Sequence, residues 1–196
     1  MAFENYLSAG MHIGMRQRTK DMERFIYKIR DDGLAVLDLA TIENRVKTAA
    51  KMLSRYKNIM VISRKGVGQK PAKKFAEAVG AKAQYGRFLP GTITNPSFRG
   101  YEEPDAVIVT DPLVDKQAVK EAVKMRIPII ALCDTFNELN GIDFVIPVNN
   151  KGRRSLAMIY WLLAYEILLA REEIKSEAEF KFKPADFEMT LERRKK

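Results

Sequence analysis

At 196 residues the chain is long enough for one α/β core with terminal extensions, and short for two large domains. Apolar residues make up 46% and charged residues 30%, and 34 Lys and Arg against 25 Asp and Glu leave a net charge of +9, which points to a polyanionic partner. A single Cys and a single His exclude an intramolecular disulfide, clustered His/Cys metal sites, and the Cys/His and Ser/His/Asp catalytic arrangements.

The opening MAFENYLSAGMHIGMRQR has isolated apolar residues and makes a poor signal peptide, so residues 1–30 are expected to pack on the domain as an N-terminal segment. Arg16, Arg18 and Lys20 follow in a stretch with few apolar residues. Leu34 to Leu39 (LAVLDL) is the first of five short β-branched runs; the others are Ile59 to Ser63, Val107 to Thr110, Ile127 to Leu132 and Phe144 to Val148. Runs that are apolar at nearly every position predict parallel strands covered on both faces. Thr41 is expected to cap a helix from Ile42 to about Tyr56, with Ile42, Val46, Ala49, Ala50 and Leu53 on one face. Pro71 suits the first turn of a helix that stops at Gly80. A short strand near Lys82 to Tyr85 would complete the alternation.

Pro90 to Pro104 holds three prolines and two glycines and predicts turns; loops at the carboxyl ends of parallel strands are also where sites lie. Asp115 opens a helix through Met125. The last helix, from Gly152 or Arg153 to about Arg171, is apolar on several faces, which predicts burial against the sheet and a further element. It contains Glu166 in an apolar stretch of about 15 residues, short of the roughly 20 that span a bilayer, so no membrane partner is expected. Cys133 sits in the apolar run IPIIALC as a buried residue suited to the cytosol. Strand, helix, strand, repeated, predicts a doubly wound, mainly parallel, three-layer α/β sheet of flavodoxin- or Rossmann-like type. The domain is expected to span 1–171. Residues 172–196 read as an extension that is disordered or orders only on a partner, anchored by Phe180, Phe182 and Phe187.

Chemistry concentrates at turns. After the strand Ile59 to Ser63 come Arg64, Lys65, Gly66, Val67, Gly68, Gln69 and Lys70, a glycine-bearing turn before a helix, where backbone N–H groups and the helix dipole can hold a phosphate. It lacks the third glycine of a dinucleotide fingerprint and the G-K-[ST] ending of a P-loop. Two readings of those glycines stand: a tight turn that needs their backbone freedom, and a contact with RNA phosphates through Arg64, Lys65, Lys70, Lys73 and Lys74. Lys151, Arg153 and Arg154 form another basic cluster, and Arg87 and Arg99 are further candidates for RNA contact. No RNP aromatics, KH loop or zinc-knuckle spacing is present, so RNA would be recognised by shape and phosphate.

The rival is a phosphate-ligand enzyme using the Arg64 to Lys70 turn, with Asp111 or Asp134 on a metal or acting as base. Both aspartates equally suit turn formation, and His12 has no sequence neighbour to act with as a general base. No catalytic residue, metal, cofactor or small-molecule substrate is therefore assigned.

Several ordered blocks carry a resemblance: LSAGMHIG (Leu7 to Gly14), RDDGLAVLDL, SRKGVGQKPAKKFAEAVGA, GRFLPGTITNP (Gly86 to Pro96), PDAVIVTDPLVDKQAVKEAVKMRIPIIALCDT (Pro104 to Thr135) and IDFVIPVNNKGRRSLAMIYWLLA. From Tyr6 to Arg171 the chain resembles the universal second protein of the small ribosomal subunit in its archaeal form, related to the eukaryotic laminin-receptor-like ribosomal protein. The resemblance implies a doubly wound sheet and a structural role in the cytoplasmic ribosome. It also implies contact with small-subunit ribosomal RNA near the junction of head and body, with neighbouring ribosomal proteins as partners. Bacterial members carry a long helical hairpin between the T-N and P-D segments. Here Pro104 follows Asn95 within about nine residues, so that hairpin's contacts do not carry over.

Overall fold

Four of the five β-branched runs, joined by the segment around Lys82, form one parallel sheet in the computed structural model, which describes residues 3–189. In chain order the elements are α1 (Phe3–Ala9), β1 (Ile26–Ile29), β2 (Ala35–Leu37), α2 (Leu39–Leu53), β3 (Ile59–Ser63), α3 (Gly66–Val79) and β4 (Lys82–Tyr85). There follow β5 (Ala106–Val109), α4 (Lys116–Met125), β6 (Ile129–Cys133), β7 (Phe144–Pro147), α5 (Arg153–Ala170) and α6 (Pro184–Phe187). The sheet order is β4-β3-β5-β6-β7, with Val61 opposite Ala83 and Ile108, Ile108 opposite Ile130, and Ala131 opposite Val145. This is the flavodoxin-like order, which reverses direction between β3 and β5, the place where such folds open a crevice at the carboxyl ends of their strands.

α5 lies between α2 and α3 on one face, while α4 covers β5 and β6 on the other. That position explains why α5 is apolar nearly all round: Leu156, Ile159, Tyr160, Leu163 and Ile167 are all buried. Tyr160 meets Phe75 of α3 edge-on at 5.6 Å, and its hydroxyl shares a 2.7 Å hydrogen bond with Thr110 Oγ1. Burying such side chains contributes about 1.5–3 kcal/mol each, so this seam is a large part of the core. The turns at 86–105 stand where a helix would follow β4. They are held on α4 by buried Glu121, whose carboxylate accepts from Gly91 N at 2.9 Å and Ile93 N at 3.2 Å. Burial pushes the Glu121 carboxyl up, but hydrogen bonds from Gln117, Gly91, Ile93 and Thr94 outweigh it and hold the group below its ordinary value.

Several expectations are corrected. The run Leu34 to Leu39 is not a strand of the main sheet: only Ala35–Leu37 is extended, and it pairs with β1 in a separate antiparallel hairpin. Asp38 ends that run and is itself the cap of α2, since its carboxylate accepts from Ala40 N and Thr41 N. Thr41 is therefore inside the helix. α3 begins at Gly66, five residues before Pro71, so the supposed glycine turn is the helix's first turn and Pro71 lies within it. β6 begins at Ile129, beyond Pro128.

The aromatic residues of the C-terminal extension, expected to anchor on a partner, pack on this chain's own α5. Phe180 and Phe187 are buried, Phe180 tilts against Trp161 at 5.6 Å, and Trp161 Nε1 donates to Phe182 O at 2.7 Å. α5 left a second apolar face uncovered by the sheet, and the extension fills it. Residues 190–196 of the extension, and residues 1 and 2, lie outside the described residues.

Candidate nucleic-acid interface

Arg64 and Lys65 leave β3, and Thr110 and Asp111 leave β5, on the two sides of the switch point. The Lys65 ammonium forms an ion pair with the buried Asp111 carboxylate and donates to Asn150 Oδ1 at 3.1 Å. Asn137 Nδ2 donates to Asp111 Oδ1 at 2.9 Å, while Asn137 Oδ1 accepts from Asp134 N at 2.8 Å and from Asn150 Nδ2 at 3.1 Å. Arg64 N donates to Asp115 Oδ1 at 2.9 Å. Burial raises the Asp115 carboxyl to about 6, and burial likewise pushes Asp134 up.

The groups that would meet a phosphate or a metal in a doubly wound enzyme are thus paired with one another. Gly68 has the same message: a Cβ there would fall 2.4 Å from Ser63 Oγ and 2.9 Å from Thr110 Cγ2, so the glycine serves close packing of α3 on the sheet. Nothing in this arrangement supports the enzyme reading. Among the described residues no group of His, Cys, Asp and Glu could hold a metal ion, and no helix is long and apolar enough to cross a membrane. His12 stands beside the β1–β2 hairpin, half-buried, its Nδ1 without a hydrogen-bond partner; burial, then Arg30, holds it below its ordinary value. Cys133 is buried, and burial pushes its thiol up.

Outside this closed network the same edge is lined with exposed bases. The segment from Gly14 to Thr19 is tied across the end of β6: Met15 N donates to Thr135 Oγ1 at 2.9 Å, Thr135 Oγ1 to Gln17 O at 3.0 Å, and Thr19 N to Thr135 O at 2.9 Å. Arg16 and Arg18 are exposed on that segment and Lys20 follows it. A Cβ on Gly14 would come within 2.5 Å of Thr135 Cγ2, so only glycine lets the segment lie this close.

Beyond β7, Asn149 Oδ1 accepts from both Lys151 N and Gly152 N at 3.0 Å, shaping the turn into α5. Lys151 Nζ sits 4.0 Å from the Phe136 ring centroid, and Arg153 and Arg154 are exposed in the first turn of α5. Arg87 follows β4, where Gly86 N bonds Ser63 O at 3.0 Å. α3, α4 and α5 all begin at this edge without an acidic residue in the first turn. The positive dipole ends of α3 and α5 add to the field of the bases, while Asp115 at the N-cap offsets that of α4. The acids of the edge, Asp111, Asp115 and Asp134, are buried and engaged, so the solvent side is left basic.

Not every candidate joins this row. Lys65 is committed to Asp111. Lys74 bonds Glu77 at 2.7 Å and lies 5.8 Å from the Phe182 ring, on the side covered by the extension. Lys70 and Lys73 lie further along α3, one half-buried and one exposed. Arg154 reaches within 3.9 Å of Glu188. Arg99 lies in the loop that leads away to the opposite edge, where Glu102 pairs with Lys82. The residues that position the row, Thr135, Asn137, Asn149 and Asn150, carry only a turn signal in the sequence, because their partners are distant in the chain.

A family model described as ribosomal protein S2 matches residues 6–100 and 97–169 of this chain. The small ribosomal subunit protein uS2 of Haloquadratum walsbyi is 57% identical over 167 residues, which cover 84% of this chain and 60% of that relative. The chain therefore spans about 60% of that relative's length.

Proposed function

Because this chain belongs to the ribosomal protein S2 family, we propose that it is a structural constituent of the cytoplasmic small ribosomal subunit that holds ribosomal RNA on the carboxyl edge of its sheet. The observation that carries the reading is the asymmetry of that edge: its acids are buried and bonded, and its bases, Arg16, Arg18, Lys20, Arg64, Arg87, Lys151 and Arg153, face outward. Counterions released from RNA phosphates supply the binding free energy, and the closed network beneath keeps the edge rigid. Recognition is of backbone shape, since charged side chains make up the row and the Phe136 ring lies under Lys151. The chain works as one domain over residues 1–171, with the extension laid on α5, and the neighbours it touches are other small-subunit proteins. No chemical step is assigned to it. The short connection from Asn95 to Pro104, where bacterial members carry a hairpin, fits the archaeal branch.

The test is the salt dependence of binding to small-subunit ribosomal RNA. Replacing Arg16, Arg18 and Arg153 together with Gln should weaken binding and flatten the plot of log affinity against log salt by roughly 0.7 to 0.9 for each RNA phosphate that is no longer neutralised. A variant that keeps its fold and its slope would remove this edge from the interface.

A further inference from the structure

Next to Lys20 the surface opens into a hollow of about 770 Å³ between the turn Lys20–Phe25 and the outer edge of β7. β7 pairs with β6 on one side only, and Arg45 of α2 reaches its open side, donating from Nη1 to Val145 O at 3.1 Å. The Arg45 guanidinium carbon lies 4.8 Å from the Phe25 ring centroid and 5.0 Å from that of Phe144, and the Arg24 guanidinium lies 4.8 Å from the same Phe25 ring. Two guanidiniums therefore share one aromatic ring. Among the described residues neither of them, nor Lys20, has a carboxylate within ion-pair distance. Asp21 and Asp143 also line the hollow, and Asp143 Oδ2 accepts from Ile129 N at 2.8 Å. Burial first, then the nearby Arg24 charge, holds Arg45 below its ordinary value.

We propose that Lys20, Arg24 and Arg45 form an anion site that seats a phosphodiester of the RNA backbone, as an extension of the basic row beyond the carboxyl edge. The inference rests on the RNA reading given above. A guanidinium presents a planar fork of donors that matches the oxygens of a phosphate, and one already stacked on a ring loses little freedom when it binds. Arg45 uses Nη1 on Val145 O and keeps its other N–H groups for a ligand. Lys20 joins the hollow to Arg16 and Arg18, so an RNA strand following those residues arrives at it. Arg24 and Arg45 come from distant parts of the sequence, each with the appearance of an ordinary solvated base, and only the fold brings them to one ring.

The experiment compares small-subunit ribosomal RNA binding by the full chain, R24Q/R45Q, R24Q alone and R24K/R45K across a salt series, beside the Arg16, Arg18 and Arg153 variant. R24Q/R45Q is expected to flatten the salt slope by roughly 0.7 to 0.9, the value for the one phosphate the site seats, and R24Q by a smaller amount, with thermal transitions recorded for each. R24K/R45K should keep the slope and lose affinity, because lysine retains the charge without the fork. R24Q removes no hydrogen bond that the fold uses, so it decides the matter if the double variant is destabilised. An unchanged slope in R24Q and R24Q/R45Q, with the edge variant flattened, overturns this site and leaves the RNA reading standing. Unchanged slopes in all variants overturn both. If polyglutamate binds the full chain and loses affinity in R24Q/R45Q while RNA binding is unaffected, the site takes carboxylates of a polypeptide and the proposal fails.

Discussion

Replacing Phe187 with alanine should destabilise the whole domain. Phe187 is fully buried in α6, meets Phe182 edge-on at 6.2 Å, and through Phe182 and Phe180 continues a chain of rings to Trp161, which stacks on Tyr165 at 5.7 Å. Removing a buried phenylalanine ring costs about 3–5 kcal/mol in a core. α6 lies on the outside of α5 and can detach when weakened, which limits the loss, so the lower figure of about 3 kcal/mol applies. For a chain of this size that corresponds to a fall of about 6–12 °C in Tm. The assay is thermal unfolding followed by circular dichroism and by the emission of Trp161, the chain's one tryptophan. Trp161 is 2% exposed and its indole N–H is held by Phe182 O, so loosening of the extension should shift its emission to the red below the global transition. Deleting residues 172–196 should do at least as much. A Tm within about 2 °C of the parent with unshifted Trp161 emission would refute the packing of the extension on α5.

Lys65→Ala should cost about 3 kcal/mol of stability, the lower end for breaking a buried ion pair, because Asp111 is left with its charge buried. The double variant with Asp111→Asn should recover much of it; equal losses in the two would show that the pair is not the cause. Asp115 titrates near 6 in the folded chain, above its ordinary 3.8, so the folded state holds the proton more tightly than the unfolded state. Its contribution is therefore present at low pH and is lost as pH rises through about 6; relative to Asp115→Asn, the parent should lose stability between about pH 4 and pH 6, and parallel denaturation curves across that window would contradict this. Glu121→Ala leaves Gly91 N and Ile93 N without their acceptor and should cost about 2–3 kcal/mol. Limited proteolysis should then cut between Leu89 and Tyr101, and resistance there equal to the parent's would count against Glu121 as the anchor of that loop.

Four strands of the main sheet were legible because burial leaves a continuous apolar run, and α5 because it is surrounded; the edge strand β4, with no buried residue, was legible only from the alternation of strand and helix. Local chemistry misled where two residues competed for one role. Asp38 and Thr41 both suit a helix cap, and the three-residue length of β2 decides for Asp38, since the helix has to start directly after it. Pro71 suggested a helix start, yet the fold begins α3 at Gly66, because Gly68 has to lie against Ser63 and Thr110. The extension read as partner-seeking because its apolar residues are sparse; their aromatic size compensates, as a few rings cover the outer face of α5. In the candidate site, the clusters at Arg16 to Lys20 and Lys151 to Arg154 were visible as charge. The commitment of Lys65 to Asp111, and the meeting of Arg24 with Arg45, depend on residues far apart in the chain and have no sequence signal.

Ultraviolet cross-linking of the chain within small-subunit particles, with the cross-linked peptides identified by mass spectrometry, tests the central claim most directly. The account predicts RNA adducts on peptides containing residues 14–20, 64–70, 86–87 and 149–154, all at the carboxyl edge. Adducts confined to the opposite edge, around Asn58, Lys82 and Glu102, or a chain that fails to sediment with the particle, would contradict it.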